Sequence, residues 1–105
     1  MKIPKSVKIG EHIVKIKQNK HVIVRGDSIR GSFTWDVDNK KPVEMQIASH
    51  HANGYKYPVA DKSETFWHEI THAILFDMDH KQKADERFVS AFAERLNQAI
   101  RSAKF

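Results

Sequence analysis

The chain has 105 residues, 40% hydrophobic and 30% charged, which suits one globular domain with a modest core and leaves no room for an elaborate substrate-binding subdomain. Eighteen Lys plus Arg against thirteen Asp plus Glu give a net charge of +5, a balance that helps a chain meet nucleic acid, anionic membranes or acidic partners. Zero cysteines exclude disulfides and thiolate metal sites, so any bound metal has to use histidine and carboxylate ligands.

The opening MKIPKSVKIG is basic with no apolar run behind it, which argues against a secretory signal. No segment approaches the roughly 20 apolar residues of a membrane span. A cytoplasmic protein with no membrane partner is the expectation.

In HIVKIK, Val14 and Ile16 alternate with Lys15 and Lys17, a period of two that buries one face of a strand and wets the other. HVIV, His21 to Val24, reads as a second strand, and Arg25-Gly26-Asp27-Ser28 as the turn after it. Phe33, Trp35 and Val37 alternate with polar residues. After the turn residues DNKKP the alternation resumes at Val43, Met45 and Ile47, predicting a hairpin whose apolar sides share one face. Lys15, Lys17, Lys20, Lys40 and Lys41 fall on strand edges and turns, so the positive charge supports a nucleic-acid partner only weakly.

The polar and aromatic loop SHHANGYKYP comes next. Asp61 followed by Glu64 matches a capping box, predicting a helix over about 63–77, which DMDHKQ then breaks. A second helix is predicted over about 83–103, with Phe88, Val89, Phe92, Ala93, Leu96 and Ile100 as its apolar stripe. Residues 1–105 therefore form a single α+β domain: a small, mostly antiparallel sheet over about 6–49, then the two helices.

The chemistry lies in TFWHEITHAILF, Thr65 to Phe76. Positions i and i+4 of a helix share a face, so His68 and His72 direct two imidazoles at one point. Glu69 sits about 100° round the helix, within reach of a water at that point. His-Glu-x-x-His thus assigns roles: the imidazoles hold zinc, zinc acidifies a water, and the glutamate takes its proton. Projection of the helix places Phe66, Ile70, Ala73 and Ile74 toward the sheet, with His68, His72 and Leu75 on a second face covered by the other helix. Buried imidazoles need partners, and one shared ion satisfies both.

A third protein ligand is required. Asp77, Asp79, His80, Asp85 and Glu86 are the downstream candidates. His80 falls in the turn between the helices. Asp85 and Glu86 both lie near the apolar stripe of the second helix, and periodicity does not separate them.

HEITHAILF followed by DERFVSAFAERLNQAI resembles the minimal His-Glu-x-x-His metallopeptidase-like proteins common in phages and prophages, relatives of the gluzincins and of the ImmA/IrrE-like peptidases. The resemblance covers about residues 65–100. It implies a zincin-like fold, Zn2+ as cofactor, Glu86 as third ligand beside His68 and His72, Glu69 as catalytic base, and a protein or peptide substrate, by analogy a phage or mobile-element regulator. It also implies an edge strand that pairs with the substrate, for which Val43 to Ser49 is the analogous segment. His50, His51, Tyr55 and Tyr57 are the candidates for an oxyanion-stabilising residue. The alternative function is an inactive metal-binding module that contacts a partner protein or DNA.

Overall fold

The computed structural model describes residues 2–105. Six strands precede two helices: β1 (Ser6–Ile9), β2 (His12–Asn19), β3 (Val22–Val24), β4 (Asp27–Ile29), β5 (Gly31–Asp36), β6 (Lys41–Ala48), α1 (Val59–Asp77) and α2 (Glu86–Ser102). The expected α+β plan is therefore present. Four strands form one sheet in the order β1-β2-β6-β5, and β3 and β4 form a separate hairpin.

Local turn chemistry explains the antiparallel pairs. Gly10, at φ 57°, turns β1 into β2 with Ile9 opposite His12. Arg25 and Gly26, at φ 52° and 83°, form the two-residue turn joining β3 to β4, the geometry that matches strand twist. Between β5 and β6, one carboxylate oxygen of Asp36 accepts from the Asp38 and Asn39 amides, fixing the predicted turn.

Phe33 lies opposite Met45, so the β5–β6 hairpin shares an apolar face as expected. Two of its expected members leave that face. Val37 falls in the turn, and a register shift at Thr34/Trp35 leaves Val43 without a partner; both valines are largely exposed.

The central pairing is not local. β6 runs parallel to β2, with Ile16 opposite Met45. This corrects the assignment of Val43 to Ser49 as a sheet edge: β6 has β2 on one side and β5 on the other, and the free edge near the helices belongs to β5. A period-two pattern reports which face is buried, not which neighbours a strand has.

Val14, Ile16, Met45 and Ile47 meet Phe66, Ile70 and Ala73 of α1 in the core. Met45 and Ile47 are fully buried, each worth roughly 1.5–3 kcal/mol relative to an exposed side chain. Ile74 does not join them; it points outward at 39% exposure. The second face of α1 is covered by α2 through Leu75, Val89 and Ala93, which are all buried. Ser63 donates to Asn97 at 2.8 Å, a buried polar link between the helices. Phe92 and Ile100 of the predicted stripe are substantially exposed, because the buried line of α2 is Val89, Ala93 and Asn97.

α1 begins earlier than predicted. Pro58 precedes its first residue and accepts from the Asp61 and Lys62 amides through its carbonyl, and no side chain caps the start. Asp61 thus sits inside the first turn, where its charge complements the helix dipole, rather than capping it. α2 starts at Glu86, three residues later than expected, for a reason that bears on the site. Among the described residues no helix is long and apolar enough to cross a membrane.

Candidate metal centre

α1 carries His68 and His72 one turn apart, their ring centroids 4.9 Å from each other. The chain then reverses. Asp79 adopts φ 50°, and the His80 amide bonds back to the Leu75 carbonyl, a Schellman-type stop that uses aspartate where glycine is usual. Asp85 next takes an extended backbone and accepts from the Phe88 amide at 3.0 Å, capping α2. Asp85 is therefore occupied, and Glu86, in the first helical turn, projects toward α1.

Oε2 of Glu86 lies 3.0 Å from Nε2 of His68, and Oε1 lies 2.8 Å from Nε2 of His72. One ligand atom from each of the three residues falls within 4.8 Å of the others, a group that could hold a metal ion. The donor chemistry favours a cation there. Nδ1 of His72 is 2.8 Å from the carbonyl oxygen of Lys83, which can only accept, so that nitrogen carries the ring proton. In the neutral form of that ring, Nε2 presents a lone pair to a carboxylate oxygen of Glu86. Two acceptors so close need a positive charge between them. Burial, followed by the neighbouring His72, holds the His68 imidazole below its ordinary pKa, which disfavours a proton on that second ring.

Glu69 is only 6% exposed. Burial, followed by the charge of Glu86, pushes its carboxyl up to about 8. It lines two cavities, of about 470 and 440 Å³, that also share Ile29, Gly31 and His68. One arm of this cleft continues over Phe33, Phe76 and Ala84 past His72 and Glu86. The other passes Arg30, Glu64, Thr65 and Ser90. The three-residue cluster and Glu69 thus stand between two arms of a groove whose wall is β5.

Gly31 makes this proximity sterically feasible. A Cβ at that position would stand 2.7 Å from Cγ2 of Thr65, 3.0 Å from the Gln46 carbonyl oxygen and 3.4 Å from Cγ of Glu69. The bare backbone lets β5 pass close over α1 beside Glu69. Glycine interrupting a strand pattern is the sequence signal for such an approach.

No protein-family model, curated protein or solved structure matches this chain. Assignment of the site therefore rests on its own geometry.

The remaining sequence candidates lie elsewhere. Asp77 faces His12 at 4.0 Å, Asp79 pairs with Lys83, and His80 accepts from the Gln82 amide while stacking on Phe88. None of the three belongs to the metal-ligand group. His50 contacts the Ser49 hydroxyl, and His51 packs on Tyr57. His50, His51, Tyr55 and Tyr57 line neither arm of the cleft.

Two site elements escaped the sequence reading. The Lys83 carbonyl belongs to the backbone and leaves no residue-type signal. Arg30 does have one, a cation next to the strand glycine. Its side chain lies over the Tyr57 ring, 5.6 Å from the centroid, and donates to the Asp61 carbonyl at 3.0 Å.

Proposed function

We propose that the protein is a zinc-dependent metallopeptidase with a zincin-like arrangement of sheet, motif helix and second helix. The observation that carries this reading is the convergence of Nε2 of His68, Nε2 of His72 and the carboxylate of Glu86 beside the buried Glu69. His68, His72 and Glu86 hold the ion. Zinc bound there supplies Lewis acidity, which lowers the pKa of a water toward neutrality.

Glu69 is the general base: it takes a proton from the attacking water and returns it to the departing amine. Burial, followed by the charge of Glu86, raises its proton affinity, and a dication bound beside it would act in the opposite direction. The substrate peptide adds as a strand to the free edge of β5, whose Gly31, Ser32 and Phe33 line the cleft beside Glu69.

The test compares wild type with Glu69→Gln, both purified without an affinity tag and loaded with zinc. Both bind zinc, and Glu69→Gln cleaves a mixed peptide pool roughly 10²–10⁴-fold more slowly. Undiminished cleavage by the variant, or absence of zinc uptake by either protein, overturns the reading.

A second reading is a metal-held module that binds a protein or DNA without hydrolysis. It draws on one observation, that none of His50, His51, Tyr55 and Tyr57 lines the cleft. Under it, Glu69→Gln leaves partner binding unchanged and wild type cleaves nothing.

A further inference from the structure

The two arms of the cleft differ in chemistry. Val24, Ile29, Phe33, Phe76 and Ala84 give the arm beside His72 an apolar wall. The other arm contains Arg30, which among the residues lining either arm is the sole lysine or arginine. Arg30 is held in place by the Tyr57 ring and the Asp61 carbonyl, and among the described residues it makes no ion pair.

A guanidinium so positioned retains donors for a carboxylate, which it binds with fixed geometry. Glu64 borders the same arm and, on its other side, a polar hollow that Arg101 also lines; among the described residues it makes no ion pair with Arg30. Arg30 immediately precedes Gly31, the β5 residue next to Glu69. One residue of strand rise is about 3.3 Å, so a carboxylate reaching Arg30 belongs to a residue within about two positions of the bond beside Glu69.

We infer that the cleft selects peptides bearing an acidic side chain on one side of the scissile bond and a large apolar side chain on the other, with Arg30 as the residue that reads the acid. The inference rests on the peptidase reading for its account of the bond, but selectivity itself can be read as binding. A neutral or basic residue at the Arg30 position leaves its free donors without an acceptor, and a lysine there meets like charge.

The test uses zinc-loaded Glu69→Gln protein and fluorescent peptides that differ only in Glu, Gln or Lys flanking a Leu-containing core. Glu peptides bind roughly tenfold to a hundredfold more tightly than Gln peptides. Adding Arg30→Gln removes that preference, and Arg30→Glu shifts it to Lys peptides. Peptide-library cleavage by wild type places the acid and the apolar residue on opposite sides of the cut. Cleavage with no acidic preference overturns the inference and leaves the peptidase reading standing. Arg30-dependent binding without cleavage by wild type does the reverse. Peptide binding that is indifferent to Arg30 overturns the inference whatever the protein cleaves.

Discussion

Nδ1 of His72 donates to the main-chain carbonyl of Lys83 at 2.8 Å, and this bond fixes which nitrogen faces Glu86. Among the described residues His68 has no such partner, and the hydrogen bond of its ring joins Nε2 to Glu86. An imidazole oriented in advance contributes more to metal affinity than one that orients on binding. His72→Ala is expected to weaken zinc binding more than His68→Ala, with both losses beyond the roughly 10–100-fold seen when only an outer partner is removed. Chelator competition at fixed pH measures this; equal or reversed losses would contradict the role given to the Lys83 carbonyl.

Asp85 and Glu86 are neighbours with separate tasks, one starting the helix and the other reaching the cluster. Asp85→Ala should destabilise the protein by about 1 kcal/mol through loss of the cap. It should also lower zinc affinity roughly tenfold, because Glu86 no longer leaves the helix from a fixed start. Asp85→Asn, a competent cap, should recover most of both effects. Urea unfolding and zinc titration on the same three proteins check it.

Glu69 makes metal-free stability depend on pH in a direction that can be worked out. Its folded pKa is about 8 against an ordinary value of 4.5, so between those values the folded protein keeps a proton that the unfolded chain releases. Stability is therefore fully present below about 4.5 and declines as pH rises to about 8. Glu69→Gln removes the dependence. In the presence of chelator, the variant should match wild type at pH 4 and exceed it by roughly 2–4 kcal/mol at pH 9. His68, lowered by burial, titrates in the opposite sense, losing stability as pH falls through its ordinary range. It is common to both proteins and drops out of the difference. A flat difference across the range would show that Glu69 is not buried as described.

Gly31→Ala introduces a methyl against Cγ2 of Thr65 and the Gln46 carbonyl oxygen. Overpacking of this kind costs about 1–3 kcal/mol. Thr65→Ser removes one of the two obstacles, so the double variant should regain part of the loss while the backbone contact remains. Thermal unfolding of the single and double variants gives the answer, and an unperturbed Gly31→Ala protein would mean that β5 sits farther from α1.

The readable parts of the sequence were those in which local pattern and local structure coincide. The i, i+4 spacing of His68 and His72, the alternation in β2 and the glycine-containing turn at Gly26 depend on neighbours a few residues away. The misplaced edge strand is a different case. Nothing in Val43 to Ala48 reveals that β2 covers its flank, because parallel pairing is made across the intervening β3, β4 and β5. The choice between Asp85 and Glu86 turned on a single hydrogen bond from the Phe88 amide to the Asp85 side chain, which sets the start of α2 and with it the residue that faces α1. Likewise, the pattern Asp61 and Glu64 has the spacing of a cap, yet Pro58 and the packing of Phe66 start the helix before it.

All three candidate ligands come from one helical hairpin, whereas the wall facing them comes from β3, β4 and β5. On the proposed reading, ion capture would need only α1, its turn and the first residues of α2 to find each other; the groove would need β5 laid over α1 as well. If the proposed reading holds, a variant would be able to lose peptide binding while retaining metal, so metal content alone would report on the helical hairpin and not on the β5 wall.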